Sequence, residues 1–207
     1  MIVDRVTTPR GELVLRRDGE HHEVISNGVF LMDTRNGRSE RLLVTAALSA
    51  HPHPRSLLIG GLGVGFSLEA AVADTDLDRI GVVEIEPTLL DWYEQQLGGR
   101  AHLDPRVSVT IGDIAANTDR YDVICLDVDN GPDWTITTAN QTLYDEAGTA
   151  RIADQLTDGG VLAVWSAHPV PTYVAVLRTR FDQVDVLTVD VPRGEPDVVY
   201  VARLARQ

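Results

Sequence analysis

The chain has 207 residues, of which 43% are hydrophobic, and it carries a formal net charge of −13. These values are typical of a soluble globular protein, and the acidic balance disfavours contact with a phosphate backbone, so we expect no nucleic-acid partner. No apolar run approaches the roughly 20 residues that cross a bilayer, and the N-terminus lacks the apolar region of a secretory signal, so we expect no membrane association. The single cysteine, Cys125, lies in an apolar run and fits a reducing cytoplasm.

The first part of the chain has the pattern of short β-strands. Residues 11–33 contain segments in which polar and apolar residues alternate, and Asn27-Gly28 is a strong signal for a two-residue hairpin turn. We therefore predict a short N-terminal β region over residues 1–36.

A second domain is predicted over residues 37–207. It begins with a helix that has Ser39 as a candidate N-cap, and a later helix over 147–160 is expected to end at its glycines. Seven strands alternate with helices, at 55–60, 79–85, 106–113, 121–128, 161–167, 183–191 and 197–205. This alternation predicts an α/β fold, a doubly wound and mostly parallel seven-stranded sheet of the Rossmann-like type, closed by an antiparallel last pair.

Four glycines, Gly60, Gly61, Gly63 and Gly65, lie between the first strand of this sheet and a helix. Glycine loses much conformational freedom on folding, so this loop predicts main chain that a ligand approaches closely, with a tight turn as the alternative. Phe66 occupies the position of the last glycine in the dinucleotide fingerprint, and the Gly-Lys-Ser/Thr of a P-loop is absent. We therefore predict a nucleoside site rather than a pyrophosphate site.

Acidic residues end the next two strands. Glu84 comes 19 residues after Gly65, where a carboxylate can accept hydrogen bonds from both ribose hydroxyls. Glu86 is the alternative if the register differs, and we expect it to be exposed at a helix start. Asp113 can accept a hydrogen bond from an adenine amino group, cap the following helix, or do both. The order and spacing of these residues predict an adenosine site.

Two more carboxylates follow the fourth strand, Asp127 at its end and Asp129 two residues later. Such carboxylates can hold a cationic amine and can accept the proton that the amine loses before it attacks. Because Asp, Asn, Gly and Pro are turn formers, a polar turn is the alternative interpretation of this stretch.

Aromatic residues and histidines near the strand ends are secondary candidates. Four aromatic residues belong either to the wall of a substrate site or to the core, namely Trp134, Tyr144, Trp165 and Tyr173. His168 is a candidate proton carrier after the fifth strand. We interpret the histidines at 21, 22, 51 and 53 as surface residues and predict no metal site.

Residues 11–166 resemble the spermidine synthase family of S-adenosylmethionine-fold transferases. The similar segments are LLIGGLGVG, VVEIEP, DPRVSVTIGD, YDVICLD and LTDGGVLAV, in that order. The resemblance implies transfer of an aminopropyl group from decarboxylated S-adenosylmethionine to a small amine such as putrescine. It also implies that Asp127 orients and deprotonates the amine, that Glu84 contacts the ribose, and that Asp113 contacts the adenine.

The resemblance is incomplete where the family binds the aminopropyl group and the amine. The family's loop has an aspartate where this chain has Gly63, and its Asp-Ser-x-Asp-Pro segment is DVDNGP here. Leu31 stands for a family glutamine, and SERL, residues 39–42, stands for its Tyr-His-Glu segment. Methyl transfer from S-adenosylmethionine and a non-catalytic nucleoside-binding role therefore remain alternatives to aminopropyl transfer. The N-terminal hairpin predicts a homodimer.

Overall fold

The computed structural model describes residues 1–128, 130–135, 138–192 and 194–205. An antiparallel four-stranded sheet comes first, with its strands in the order β1-β2-β3-β4. The strands are β1 Ile2–Thr8, β2 Gly11–Asp18, β3 His21–Ser26 and β4 Val29–Asp33. Asn27 and Gly28 have φ values of 51° and 80°, so the predicted hairpin turn between β3 and β4 is confirmed.

The rest of the chain forms a seven-stranded sheet in the order β10-β11-β9-β8-β5-β6-β7. Its strands are β5 Ser56–Gly60, β6 Arg79–Glu84, β7 Val107–Ile111, β8 Tyr121–Leu126, β9 Leu156–Ser166, β10 Gln183–Val189 and β11 Asp197–Arg203. Strands β5 to β9 pair in parallel, whereas β11 is antiparallel to both of its neighbours. The predicted fold class is confirmed.

Helices cover both faces of this sheet. They are α1 Arg38–Ala50, α2 Phe66–Ala73, α3 Pro87–Gln95, α4 Thr138–Tyr144, α5 Glu146–Asp154 and α6 Pro171–Leu177. Successive residues of β5 point to opposite faces: Leu57 joins the core under α1 and α2, and Leu58 joins the core under α5 and α6. No helix in the described ranges is long and apolar enough to span a membrane.

Three local predictions differ from the structure. The N-cap of α1 is Gly37, without a side-chain bond, and Ser39 lies inside the first turn. Helix α5 ends at Asp154, while the glycines at 159 and 160 lie within β9. Glu86 does stand at the start of α3, but it is only 7% exposed, and Arg10, in the turn between β1 and β2, lies 3.4 Å from its carboxylate.

The four-stranded sheet packs on the glycine loop and on α3. Leu15 and Val24 share an apolar cluster with Val64 and Trp92. The indole Nε1 of Trp92 also donates a hydrogen bond of 2.8 Å to Oδ2 of Asp4. The division of the chain at residues 36 and 37 stays a prediction, and these contacts place the first sheet over the carboxyl end of the second.

Candidate active site

A cavity of about 1280 Å³ opens at the carboxyl ends of the parallel strands. Its floor contains Gly61 and Gly63 of the loop after β5, Glu84 at the end of β6, and Asp127 after β8. Residues of the N-terminal sheet, including Met32, form part of the opposite wall. The cavity therefore lies where ligands of doubly wound sheets bind.

The two glycines of the cavity floor have left-handed main chain. Gly61 has a φ of 90°, and a Cβ there would lie 2.1 Å from the carbonyl oxygen of Asp127. Gly63 has a φ of 54°, and a Cβ there would lie 3.1 Å from Sδ of Met32. A side chain at either position would therefore be strained, and the cavity keeps bare main chain at this point.

The other two predicted loop glycines are required by protein packing. A Cβ on Gly60 would lie 2.5 Å from Cδ1 of Ile114, and one on Gly65 would lie 2.1 Å from the ring of Tyr93. Neither glycine lines the cavity. The close approach that the sequence predicts at these two positions is made by the chain's own side chains.

Glu84 is 4% exposed and ties the glycine loop to the next strand end. Its Oε2 accepts a hydrogen bond of 2.8 Å from the amide of Leu62, and its Oε1 accepts one of 2.8 Å from the amide of Glu86. Burial raises the pKa of Glu84, and the bonds from main-chain amides act in the opposite direction. The amides of Gly63 and Ile85 also lower this pKa, so main-chain donors of the loop and of the strand end surround the carboxylate at the edge of the cavity.

Asp113 lies at the same edge of the sheet as Glu84. The amide of Gly112 donates a hydrogen bond of 2.8 Å to the carbonyl oxygen of Glu84, which aligns the ends of β6 and β7. Oδ1 of Asp113 caps the short turn that follows by accepting 2.8 Å from the amide of Ala115. Asp113 also lines a second cavity of about 40 Å³ whose walls include Ile85 and Val128, two residues shared with the large cavity.

Asp127 is partly buried and is fixed through both its main chain and its side chain. Its amide donates 2.8 Å to the carbonyl oxygen of Gly60, and its Oδ2 accepts 2.6 Å from the hydroxyl of Ser67. Burial and the nearby carboxylates of Glu40 and Glu84 raise the pKa of Asp127 to about 7. Such a carboxylate can exchange a proton near neutral pH. The second predicted carboxylate of this stretch, Asp129, lies outside the described residues.

Two acidic residues that the sequence interpretation missed line the same cavity, Glu40 of α1 and Asp197 of β11. The buried hydroxyl of Ser39 lies 2.9 Å from Oε2 of Glu40 and 2.7 Å from Oδ2 of Asp197. Burial raises the pKa of both carboxyl groups. A signal for Glu40 existed, because four residues before the buried Val44 it lies on the apolar face of α1. Asp197 had none, since only the pairing of β11 brings it to the cavity.

The secondary candidates divide between the cavity and the core. Trp134 and Trp165 line the cavity, whereas Tyr144 and Tyr173 are buried in the core on the α5 and α6 side. His168 lies 2.9 Å from the carboxylate of Asp133 and beside the ring of Trp134. Within the described ranges, no three His, Cys, Asp or Glu side chains are grouped to hold a metal ion.

The comparison with protein families decides the identity of this domain. The spermine/spermidine synthase domain matches residues 38–192, which is most of the chain. The protein belongs to the spermine/spermidine synthase family. The resemblance inferred from the sequence is therefore confirmed, and the match covers α1 to β10, including the glycine loop and Asp127.

Curated relatives of this spermine/spermidine synthase domain include two kinds of transferase. Polyamine aminopropyltransferase 2 of Pseudomonas aeruginosa is 30% identical over 169 residues, which cover 73% of this chain and 46% of the relative. Putrescine N-methyltransferase 2 of Nicotiana attenuata is 26% identical over 187 residues, which cover 82% of this chain and 48% of the relative. The chain thus spans about half the length of these relatives.

Solved structures share the fold of this family member. A spermidine synthase in complex with the transition-state analogue AdoDATO matches with a TM-score of 0.82 at 16% identity, covering 98% of this chain and 73% of that one. Human methyltransferase-like protein 13 in complex with SAH matches with a TM-score of 0.63 at 23% identity, covering 80% and 82% of the two chains. These likenesses show a fold common to aminopropyl and methyl transferases.

Proposed function

We propose that the protein transfers an alkyl group, an aminopropyl group in the first place, from an S-adenosylmethionine-type sulfonium donor to a small amine. The observation that carries the proposal is Asp127, a partly buried carboxylate with a pKa of about 7 that shares one cavity with the bare main chain of Gly61 and Gly63. Displacement at a sulfonium carbon needs mainly a positioned and deprotonated nucleophile, and this arrangement supplies both.

The proposed reaction balances without a further reactant. The amine gives a proton to Asp127, and its lone pair forms a bond to the carbon attached to the sulfonium sulfur. The bond between that carbon and sulfur breaks, and its electron pair stays on sulfur, which leaves as a neutral thioether. The proton then passes from Asp127 to solvent, a transfer that its pKa of about 7 favours near neutral pH.

The donor fits the residues at the ends of β5, β6 and β7. We assign the ribose hydroxyls to Glu84, which lines the large cavity, and the adenine amino group to the Oδ2 side of Asp113. Ile85 and Val128 line both cavities and supply apolar contacts for the base. Gly61 and Gly63 would face the sulfonium end, and Gly60 and Gly65 would support the loop from behind.

The acceptor fits the acidic side of the cavity. Glu40, Asp127 and Asp197 put three carboxyl groups into one wall, and Trp134 and Trp165 add aromatic faces. Carboxylates and aromatic faces both attract ammonium groups. A small amine carrying positive charge is therefore the acceptor class that this wall favours.

Methyl transfer from S-adenosylmethionine is the second candidate. Gly63 lines the cavity where the family carries an aspartate, so the group that would hold the ammonium of a decarboxylated donor is missing. Putrescine N-methyltransferases among the relatives fit this alternative. The two transfers use donors that differ in carboxylation, so the product formed with each donor distinguishes them.

The test is an incubation of the purified chain with each donor and a panel of monoamines, diamines and polyamines. Release of methylthioadenosine identifies aminopropyl transfer, and release of S-adenosylhomocysteine identifies methyl transfer. Donor binding in calorimetry without either product would leave a non-catalytic nucleoside-binding protein. Absence of binding by both donors would refute the proposal. Asp127→Asn serves as the inactive control.

We also propose that the protein is a cytoplasmic homodimer without nucleic-acid or membrane partners. The net charge of −13 and the one buried free thiol, that of Cys125, support the compartment and the absence of a nucleic-acid partner. Ile2 on β1 and Phe30 on β4 expose about half of their surface on the edge strands of the N-terminal sheet, which supports a subunit contact. A monomer in sedimentation at micromolar concentration would refute the dimer.

A further inference from the structure

Ser67 is a buried serine in the first turn of α2, directly behind the glycine loop. It is 1% exposed, and its hydroxyl donates a hydrogen bond of 2.6 Å to Oδ2 of Asp127. A serine inside a helix normally turns its hydroxyl back to a carbonyl of the preceding turn, and in a buried position alanine is the better helix former. The hydroxyl here lies much closer to a carboxylate of the cavity wall than to the carbonyl oxygen of Glu40, which is 3.4 Å away.

The main chain of Asp127 is held in place by its neighbours, so the orientation of the side chain is what remains to be fixed. The amide of Asp127 is bonded to the carbonyl oxygen of Gly60, and its own carbonyl oxygen packs against Gly61. These contacts fix where β8 ends, but they do not fix the rotation of the carboxylate. The bond from Ser67 to Oδ2 fixes this rotation.

We propose that Ser67 is the positioning residue of Asp127: by holding Oδ2, it presents Oδ1 to the amine that binds in the cavity. This inference rests on the proposed transfer reaction, in which Asp127 takes the amine proton. A serine that anchors one oxygen reduces the orientations open to the carboxylate, so the acceptor atom stands in place before the amine arrives. Ser67 itself does not touch the amine.

The hydrogen bond from Ser67 and the other surroundings of Asp127 have opposite effects on the pKa of Asp127. Among the residues that the structure describes, three titratable groups interact with its carboxylate, Glu40 from α1, Glu84 from β6 and Cys125 from β8. The carboxylates of Glu40 and Glu84 and the burial of the site favour the protonated form, whereas the bond from Ser67 favours the charged form. Loss of the hydroxyl should therefore raise the pKa of Asp127 above its value of about 7 and remove its fixed orientation.

The test is Ser67→Ala, which deletes only the hydroxyl and places the best helix former in α2. We expect kcat at pH 8 to fall about tenfold, the size of effect that loss of a hydrogen bond to a charged group produces. The acid limb of the pH profile of kcat should move to higher pH, while the dissociation constant of the donor stays unchanged. Ser49→Ala is the control, because the hydroxyl of Ser49 on α1 donates to the carbonyl oxygen of Thr45 in its own helix and Ser49 does not line the cavity.

A readout without turnover separates this inference from the reaction itself. The ¹³C signal of the Asp127 carboxyl group, assigned by comparison with Asp127→Asn, should titrate at higher pH in Ser67→Ala than in the wild type. An unchanged titration and an unchanged pH profile would overturn the role of Ser67 and leave the transfer reaction standing. A wild type that binds donor but transfers nothing would refute the reaction, and the titration would still decide the role of Ser67.

Discussion

The two sides of the cavity are built in different ways. On the side proposed for the donor, the glycine loop, Glu84 and Asp113 come from consecutive strand ends, and hydrogen bonds from main-chain amides join these ends. On the side proposed for the acceptor, Glu40, Asp127 and Asp197 come from α1, β8 and β11, and their side chains contact the hydroxyls of Ser39 and Ser67. The proposed nucleoside side therefore depends on local main-chain geometry, whereas the proposed acceptor side depends on individual side chains.

The largest expected effect tests the acceptor side alone. Asp127→Asn should lower kcat about 100- to 10,000-fold, the usual range for loss of a general base, because an amide cannot take the amine proton. The dissociation constant of the donor, measured by calorimetry, should stay within about threefold of the wild type if the two sides are independent. Asp185→Asn on β10, an exposed acid that does not line the cavity, is the control. A loss of donor affinity as large as the loss of kcat would show that the two sides are not independent.

A change at Glu84 tests the donor side. Each oxygen of the carboxylate accepts a bond from a main-chain amide, whereas in Glu84→Gln the side-chain NH₂ would face one of these donors. We expect donor affinity to fall roughly 10- to 100-fold and the free energy of unfolding to fall by about 1–3 kcal/mol. Calorimetry and urea unfolding measure the two effects. Glu69→Gln, an exposed acid on α2, is the control, and unchanged donor affinity in Glu84→Gln would contradict the ribose assignment.

The raised pKa of Asp127 makes the free energy of unfolding depend on pH. The pKa of Asp127 is about 7 in the folded chain and about 3.9 when unfolded, so the folded state binds more protons between these values and stability falls as pH rises through this window. Asp127→Asn should therefore unfold at higher urea concentration than the wild type at pH 8, by on the order of 1–2 kcal/mol. The difference should vanish below pH 4, and a variant less stable at pH 8 would contradict the assignment.

The smallest expected effect concerns Asp197 and tests its part in the acceptor side. Asp197→Asn should raise the KM for a diamine severalfold and leave the KM for a monoamine unchanged, because a second ammonium group would lose one carboxylate of the wall. Steady-state kinetics with the two acceptors measures the ratio. Asp154→Asn, an exposed acid paired with Arg180, should change neither value. A similar rise for both acceptors would place Asp197 outside the acceptor's reach.

The seven strands and the hairpin were predictable from sequence because their signals are local. Strand β1 was missed because a bulge between Ile2 and Asp4 interrupts its alternation, so that Val3 and Val6 both pack on the apolar cluster. The glycines at 159 and 160 suggested a helix end because the strand is irregular there as well. They lie in a stretch of β9 that has no partner in β8, where the pairing moves from Tyr121–Leu156 to Val123–Val161.

The candidate site was predictable to the extent that it follows strand ends. Each parallel strand delivers its last side chain to the same edge, which is why Glu84, Asp113 and Asp127 could be named in advance. Glu40 required recognising a charge on the apolar face of α1, and Asp197 required knowing how the last two strands pair. Ser39 was assigned to a helix cap because serine favours that position, whereas here tertiary contact with Asp197 determines its role.

One absent side chain links the two sheets. At Gly65 even a methyl group would collide with the ring of Tyr93, and the next residue back, Trp92, anchors the N-terminal sheet through Asp4. A larger residue at 65 would push α3 outward and carry this anchor with it. Alanine at this one position should therefore loosen the roof of the cavity together with its floor, although Gly65 itself does not line the cavity.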